Sequence, residues 1–283
     1  MKALETLQSA RELLEISGLN DADRESELIV SHCLGIDRLH LFKEDPHIPE
    51  NILLQIYEYL RRRAAREPLQ YILGYTEFHG LKIKVGPGVL IPRPETELLV
   101  EEAVKTVHTS HFTSLRILDL CTGSGCIALA LAREFPDAQV YGTDTSEVAL
   151  TYARENADRN RMQNVIFLKG SLFDPLKNSD LKFDVIISNP PYIKKDEIGN
   201  LQPEITDWEP GEALDGGEDG LDYYKMLIPE AGNYLKENGY LVLEIGIGQS
   251  DEVKWMAEEA GFQDIIVIRD YSGIERILIA KKG

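Results

Sequence analysis

Leu4, Leu7, Leu13, Leu14 and Ile16 recur at helical spacing ahead of Gly18 and Asn20, which predicts a first helix that stops there. Asp23 is placed to cap a second helix carrying Leu28, Ile29, Cys33 and Leu34 and closed by Gly35. A third, short helix is predicted to begin near Asp37. Pro46 and Pro49 break the chain, and Ile52, Leu53, Ile56, Tyr57 and Leu60 form a further apolar stripe. No strand pattern interrupts this stretch, so residues 1–70 are expected to form a small helical bundle. From Pro68 to Arg93 the period changes. Phe78, Leu81, Ile83 and Val85 alternate weakly with polar residues among Gly80, Gly86 and Gly88, the pattern of a β-hairpin or extended connector, assigned to residues 71–93. Pro92 and Pro94 stiffen its end. A helix over 95–107 follows, with Pro94 in its first turn and Glu95 and Glu97 near its positive end.

Residues 94–283 alternate strand and helix patterns. Strands are predicted over 117–120, 139–142, 165–168, 185–188 and 240–245, and helices over 126–135, 147–160, 223–236 and 252–259. This order argues for an α/β domain with a mostly parallel sheet and helices on both faces. Two last strands, over 265–268 and 276–280, lie too close in sequence for a crossover helix, so one of them is expected to be antiparallel. The segment 189–220 shows no period and is too long for a plain connector, which makes it a candidate substrate loop.

Composition narrows the function classes. The chain has 283 residues, 43% hydrophobic and 28% charged, as expected of an ordinary globular protein. Its formal charge of −18 opposes a nucleic-acid backbone, so no direct nucleic-acid partner is expected. The run Arg61-Arg62-Arg63 with Arg66 reads as a solvated helix face. No apolar run approaches a membrane span, and Met1 to Arg11 lacks a signal-peptide core. Cys33, Cys121 and Cys126 are too few and too scattered for a disulfide framework or a cysteine zinc site. A soluble, reduced, cytoplasmic protein without a membrane partner is expected.

Two motifs carry chemistry. Asp119-Leu-Cys-Thr-Gly-Ser-Gly125 follows the first core strand directly. Gly123 and Gly125 permit a sharp turn and close approach of a ligand, and the next helix aims its positive end there. Asp144 ends the next strand, where a carboxylate can accept both hydrogen bonds of a ribose diol. The pair points to a nucleotide-like ligand. Gly123 to Ala128 also fits the G-x-G-x-x-A form of dinucleotide sites. Asp119 could instead meet the charged amino-acid moiety of S-adenosylmethionine (SAM), and the loop alone leaves both ligands open. The second motif is Asn189-Pro-Pro-Tyr192, at the end of another core strand. The Asn189 side-chain carbonyl and the rigidly presented Pro190 carbonyl can accept both protons of a planar NH2 group. Tyr192 supplies a flat face. Such an NH2 is a poor nucleophile because its lone pair is delocalised, and aiming that lone pair at an electrophilic methyl addresses the difficulty.

With these motifs in place, the chain resembles the SAM-dependent methyltransferases of planar amino nitrogens. Glu67-Pro-Leu-Gln-Tyr-Ile-Leu-Gly74, Leu90-Ile-Pro-Arg-Pro-Glu-Thr-Glu97, Glu209-Pro210, Ala213-Leu214 and Gly220-Leu221 narrow the resemblance to the release-factor glutamine N5-methyltransferases (PrmC/HemK) over nearly the whole chain. The resemblance implies a Rossmann-like class I methyltransferase domain with a seven-stranded sheet over 94–283. It further implies SAM as cofactor, and as substrate the glutamine of the Gly-Gly-Gln loop of bacterial peptide chain release factors. The helical region 1–70 is then expected to help dock the release factor. The roles that carry over are Asp119, Cys121, Thr122, Gly123, Ser124, Gly125 and Asp144 for SAM, Asn189 for both ligands and for catalysis, and Pro190, Pro191 and Tyr192 for the glutamine. The chain departs from the family at two places. Cys121 stands where many members carry glycine, and Leu172 stands where some carry tryptophan just before the position of Phe173, so no adenine contact is carried over there.

The remaining candidates read as structural. His108 and His111 form an H-x-x-H in an expected exposed loop without a third ligand, so no metal is expected. His79 belongs to the hairpin and Arg93 anchors its segment. A methyltransferase of nucleic-acid amino groups, an NAD-dependent dehydrogenase and a non-catalytic binding protein are the competing readings.

Overall fold

The computed structural model describes residues 1–110, 112 and 114–283. The chain forms two compact units, Met1–Tyr75 with Gln202–Trp208, and Thr76–Leu201 with Glu209–Gly283.

The first unit contains α1 (Ala3–Ile16), α2 (Ala22–Leu34), α3 (Arg38–Glu44), α4 (Glu50–Ala64) and α5 (Leu69–Leu73). Its core is the buried apolar stripe of these helices, including Leu7, Leu14, Ile29, Leu41, Ile56 and Leu60. Gly35 ends α2 at φ 66°, and the Asp37 side chain accepts from the His40 amide at 2.9 Å to cap α3. Asp21, not Asp23, is the N-cap of α2; Asp23 sits one position inside the first turn, where its charge still complements the helix dipole. The arginine run differs from the expected solvated face. Arg61 pairs with Glu58 on the surface, but Arg63 is buried, with Nε 2.6 Å from Glu25 and Nη1 2.9 Å from Glu204. Arg66 reaches the other Glu204 oxygen at 2.8 Å. The expected extended connector also begins later, because residues 69–73 form α5, closed by Gly74 at φ 79°.

The second unit opens with β1 (Tyr75–Phe78) and β2 (Leu81–Lys84), a two-stranded sheet turned at His79 and Gly80. Then come α6 (Thr96–Thr109), β3 (Arg116–Leu120), α7 (Cys126–Glu134), β4 (Gln139–Asp144), α8 (Glu147–Arg159), β5 (Val165–Lys169) and β6 (Phe183–Ser188). The one-turn helix α9 (Pro203–Thr206), which belongs to the first unit, is followed by α10 (Asp222–Tyr234), β7 (Leu235–Glu244), α11 (Ser250–Glu259), β8 (Phe262–Arg269) and β9 (Glu275–Lys282). Seven strands form one sheet in the order β5-β4-β3-β6-β7-β9-β8. Strands β3 to β7 run parallel, and β9 is antiparallel to both its neighbours, as the short final connection requires. Strand order reverses between β3 and β6. In an open α/β sheet the crevice outside the carboxyl ends at that reversal is where ligands bind.

Four expectations need correction. Residues 189–220 are not wholly irregular, since they contain α9 and 3-10 turns over Ile198–Asn200 and Gly211–Ala213. The helix predicted to reach 236 stops at Tyr234, and its last residues start β7, whose register shifts opposite Phe183 and Val185. Pro94 precedes α6 instead of entering it. His108 lies on the last turn of α6, not in a loop, with its ring 5.4 Å from that of Phe135; His111 lies outside the described residues. Among the described residues no helix is long and apolar enough to cross a membrane.

Candidate active site

A cleft of about 960 Å³, its mouth included, opens at the carboxyl ends of β3, β4 and β6. Side-chain hydrogen bonds hold these strand ends together. Ser188 Oγ donates to the Leu120 carbonyl at 2.8 Å, and Thr143 Oγ1 donates to the Leu172 carbonyl at 2.9 Å. The loop after β3 turns through three left-handed positions, Cys121 at φ 59°, Gly123 at φ 55° and Gly125 at φ 79°. At Gly125 a β-carbon would also lie 3.0 Å from Phe167 and 3.1 Å from Ala153, so conformation and packing both require glycine. The left-handed backbone at Cys121 is one that glycine adopts without strain. Its thiol, pushed up by burial and by the charges of Asp144 and Asp119, stays protonated and is no nucleophile.

Asp119 lies wholly buried beneath the loop. Its Oδ2 accepts from Thr122 Oγ1 at 2.5 Å and from the Ala128 amide at 3.2 Å, while Oδ1 has no partner. Burial pushes its carboxyl up to about 7 against those two hydrogen bonds, and the charge of Asp144 adds to the rise. Ser124 Oγ is likewise buried without a partner. At the end of β4, Asp144 Oδ2 accepts from the Gly123 amide at 2.8 Å and Oδ1 from the Ser146 amide at 2.9 Å, which fixes the carboxylate against the loop. Burial raises its pKa, opposed by these amides.

On the other side of the strand-order reversal, Asn189 follows β6. Its Nδ2 donates to Thr96 Oγ1 at 3.1 Å, which leaves the side-chain carbonyl as the other polar face of a residue that lines the cleft. Tyr192 donates its hydroxyl to Glu244 Oε1 at 3.1 Å. The segment after it is closed at its base by Gln249, whose Nε2 donates to the carbonyls of Tyr192 (3.0 Å) and Gly220 (3.2 Å). Glu209 is buried and accepts from the Ile91 amide at 3.1 Å and from Arg93 at 2.6 Å, so Arg93 anchors its segment and borders the cleft as well.

Of the residues singled out in the sequence, Cys121, Thr122, Gly123, Ser124, Asp144, Asn189 and Pro191 line this one cleft. Asp119, Gly125, Pro190 and Tyr192 are not among its lining residues. Leu172, left-handed at φ 45°, lines the cleft, whereas Phe173 stacks on Tyr234 in the core at 4.5 Å. Thr96 and Glu244 escaped the sequence reading. Thr96 stands within the Leu90–Glu97 segment but was given no role there, Glu244 belongs to no motif, and their partners lie 93 and 52 residues away. No cluster of metal-ligating side chains occurs among the described residues.

Comparison with known proteins agrees with this geometry. Residues 111–261 match the family described as a methyltransferase domain, and residues 5–74 match the PrmC N-terminal domain. A methyltransferase from Pyrococcus furiosus superposes with a TM-score of 0.53 at 21% identity, covering 83% of this chain and 100% of that one. A T. thermophilus 16S rRNA methyltransferase in complex with AdoMet and guanosine superposes with a TM-score of 0.54 at 19% identity, covering 74% and 50%. These likenesses concern the fold, and with the cleft they define a class I methyltransferase. The sequence relatives are more particular. The release factor glutamine methyltransferase of Thermodesulfovibrio yellowstonii is 48% identical over 100% of this chain and 99% of its own length. That of Geobacter sulfurreducens is 44% identical over 98% and 95%. The chain belongs to the release factor glutamine methyltransferase family.

Proposed function

We propose that this protein methylates the side-chain amide nitrogen (N5) of the glutamine in the Gly-Gly-Gln motif of bacterial peptide chain release factors, in the cytoplasm, with SAM as donor. The observation that carries this reading is Asn189, which lines the same cleft as the Gly123 loop and Asp144 while its amide nitrogen is engaged by Thr96. Full-length relatives named for that activity supply the substrate class.

The cleft suits SAM. The buried Asp119 Oδ1 and Ser124 Oγ lack partners, a β-carbon at Gly123 would meet nothing within 4 Å, and the carboxylates of Asp144 and Glu212 line the cleft, as a cationic ligand requires. When bound, SAM supplies an electrophilic methyl carbon on a sulfonium leaving group. Asp144 accepts the ribose hydroxyls with the lone pairs that the Gly123 and Ser146 amides leave open. The Gly123 turn receives the rest of the cofactor, and Asp119 underlies the loop and balances positive charge. The Asn189 and Pro190 carbonyls accept the two N–H protons of the glutamine amide. This turns the nitrogen lone pair toward the donor carbon and polarises the N–H bonds. Pro191 and Tyr192 hold the backbone that presents these acceptors. The proton shed after transfer passes to water.

The helical unit, residues 1–70 with the connector 71–93 leading out of it, docks the release factor. A nucleic-acid base is the weaker substrate class. The net charge of −18 opposes a phosphate backbone, and the full-length relatives are named for release factors. The test incubates purified release factor with this protein and isotope-labelled SAM and maps the methyl group by mass spectrometry. A single methyl on the Gly-Gly-Gln glutamine is expected; an unmodified release factor overturns the assignment.

A further inference from the structure

We propose that Thr96 and Glu244 are positioning residues that fix which way the Asn189 amide faces, so that its carbonyl oxygen, and not its NH2, meets the incoming amide. This rests on the substrate reading above and adds the device that makes Asn189 competent.

An asparagine side chain is nearly symmetric in shape, and rotation by a half turn exchanges an acceptor for two donors. In the wrong orientation Asn189 presents N–H to N–H and repels a planar NH2. The discrimination must come from behind the amide. There the structure places one hydroxyl, Thr96 Oγ1, 3.1 Å from Asn189 Nδ2. A hydroxyl alone does not settle the matter, because it can either accept from NH2 or donate to C=O. Its proton has to be committed elsewhere.

Glu244 supplies that commitment. It is buried at the end of β7, with Oε1 taken by the Tyr192 hydroxyl at 3.1 Å and Oε2 without a hydrogen bond of its own. Burial raises the pKa of this carboxyl, and the neighbouring Thr96 hydroxyl, with Tyr192 and Arg276, opposes that rise. In its ionised form the carboxylate only accepts, so the Thr96 proton then turns toward Glu244 and Thr96 Oγ1 offers its lone pair to Asn189. The amide then places NH2 toward Thr96 and C=O toward the cleft. A buried carboxylate with an oxygen left short is costly in a core, and no packing need explains it here. The same carboxylate also holds Tyr192, so one acid fixes both ends of the Asn-Pro-Pro-Tyr segment.

Three variants and one spectrum test this. Thr96→Val keeps the shape and removes the hydroxyl, and is expected to lower kcat at least tenfold while KM for release factor and the Kd for SAM stay within about twofold. Thr96→Ser keeps the hydroxyl and is expected to recover most of kcat. Glu244→Gln can donate to Thr96 and so release its proton toward Asn189; it is expected to lower kcat as Thr96→Val does. The double variant is then no worse than the more impaired single, because both act through one amide. Independently of turnover, the side-chain NH2 protons of Asn189, assigned by their absence in Asn189→Asp, are expected to exchange slowly with solvent in wild type and Thr96→Ser, and faster in Thr96→Val and Glu244→Gln. Wild-type kcat in Thr96→Val, equal losses in the Ser and Val variants, multiplying losses in the double variant, or unchanged exchange overturns the proposal. If Thr96→Val fails to fold, the Ser and Gln variants and the exchange measurement decide it. An inactive wild-type enzyme with the expected exchange pattern would overturn the substrate reading instead.

Discussion

Two sets of buried charge, one in each unit, are met in opposite ways. In the helical unit Arg63 is buried, but its guanidinium meets Glu25 twice and Glu204 once, and both oxygens of Glu204 are used by Arg63 and Arg66. Burial pushes the Glu204 carboxyl up, yet a backbone amide and the two arginines bring it below its ordinary value. In the sheet unit, Asp119 and Glu244 each keep one oxygen without a partner, and the pKa of each is raised by burial. A buried charge that is fully met holds a structure together. One left short at the carboxyl end of a parallel sheet is available to a ligand or to a second side chain, and the two kinds respond differently to substitution.

The contrast can be broken most forcefully at Arg63. Arg63→Ala leaves the part-buried Glu25 unmatched and Glu204 with Arg66 alone, and is expected to cost about 3 kcal/mol of the helical unit's stability, read by denaturant unfolding with hydrogen exchange; a loss below about 1 kcal/mol removes the comparison. At Asn189 the expected cost falls on chemistry. Asn189→Ala should lower kcat about 100- to 1,000-fold with the circular dichroism spectrum unchanged, and turnover near that of wild type would strip this residue of its role. Asp144→Ala is expected to weaken SAM about 10- to 100-fold by calorimetry, with little change in unfolding temperature.

A gentler probe is pH. The folded pKa of Asp119, about 7, lies above its unfolded value, so this group binds a proton more readily in the folded chain. Its contribution favours the ligand-free fold below the unfolded carboxylate range and is lost as pH rises through that range toward 7. A cationic ligand prefers the ionised form, so SAM affinity should fall by up to about tenfold between pH 8 and pH 6, as titration calorimetry at several pH values would show. Flat affinity would separate Asp119 from the cofactor. Smallest of all, Cys121→Gly relieves a left-handed position and removes a small side chain, and should leave stability within about 1 kcal/mol. A collapse on thermal melting would mean that the thiol packs more tightly than its φ of 59° implies.

Periodicity exposed the long helices and buried strands because each needs one apolar face repeated over several turns or pleats. It could not expose α9, whose four residues are too short to carry a period. The start of β7 was hidden for another reason. Leu235 to Gly239 reads as a helix end followed by a turn, and Asn238 indeed sits at φ 61° within the strand. The cofactor loop, Asp144 and Asn189 were legible since each is a residue of distinctive chemistry directly after a strand. Thr96 and Glu244 were not, because a threonine at a helix start and a glutamate at a strand end have ordinary local explanations. Only the three-dimensional register places them behind Asn189.

The division of the chain has one more consequence. The backbone passes between the units three times, after Tyr75, after Leu201 and after Trp208. A nick after Tyr75 parts residues 1–75 covalently from the rest, leaving them held only by packing with 202–208, and excision of the whole helical unit takes all three cuts. A fragment ending at Tyr75 would also lack Glu204 and leave Arg63 facing Glu25 alone. The helical unit is thus not a detachable module, and grafting it onto another enzyme requires carrying the excursion 202–208 along with it.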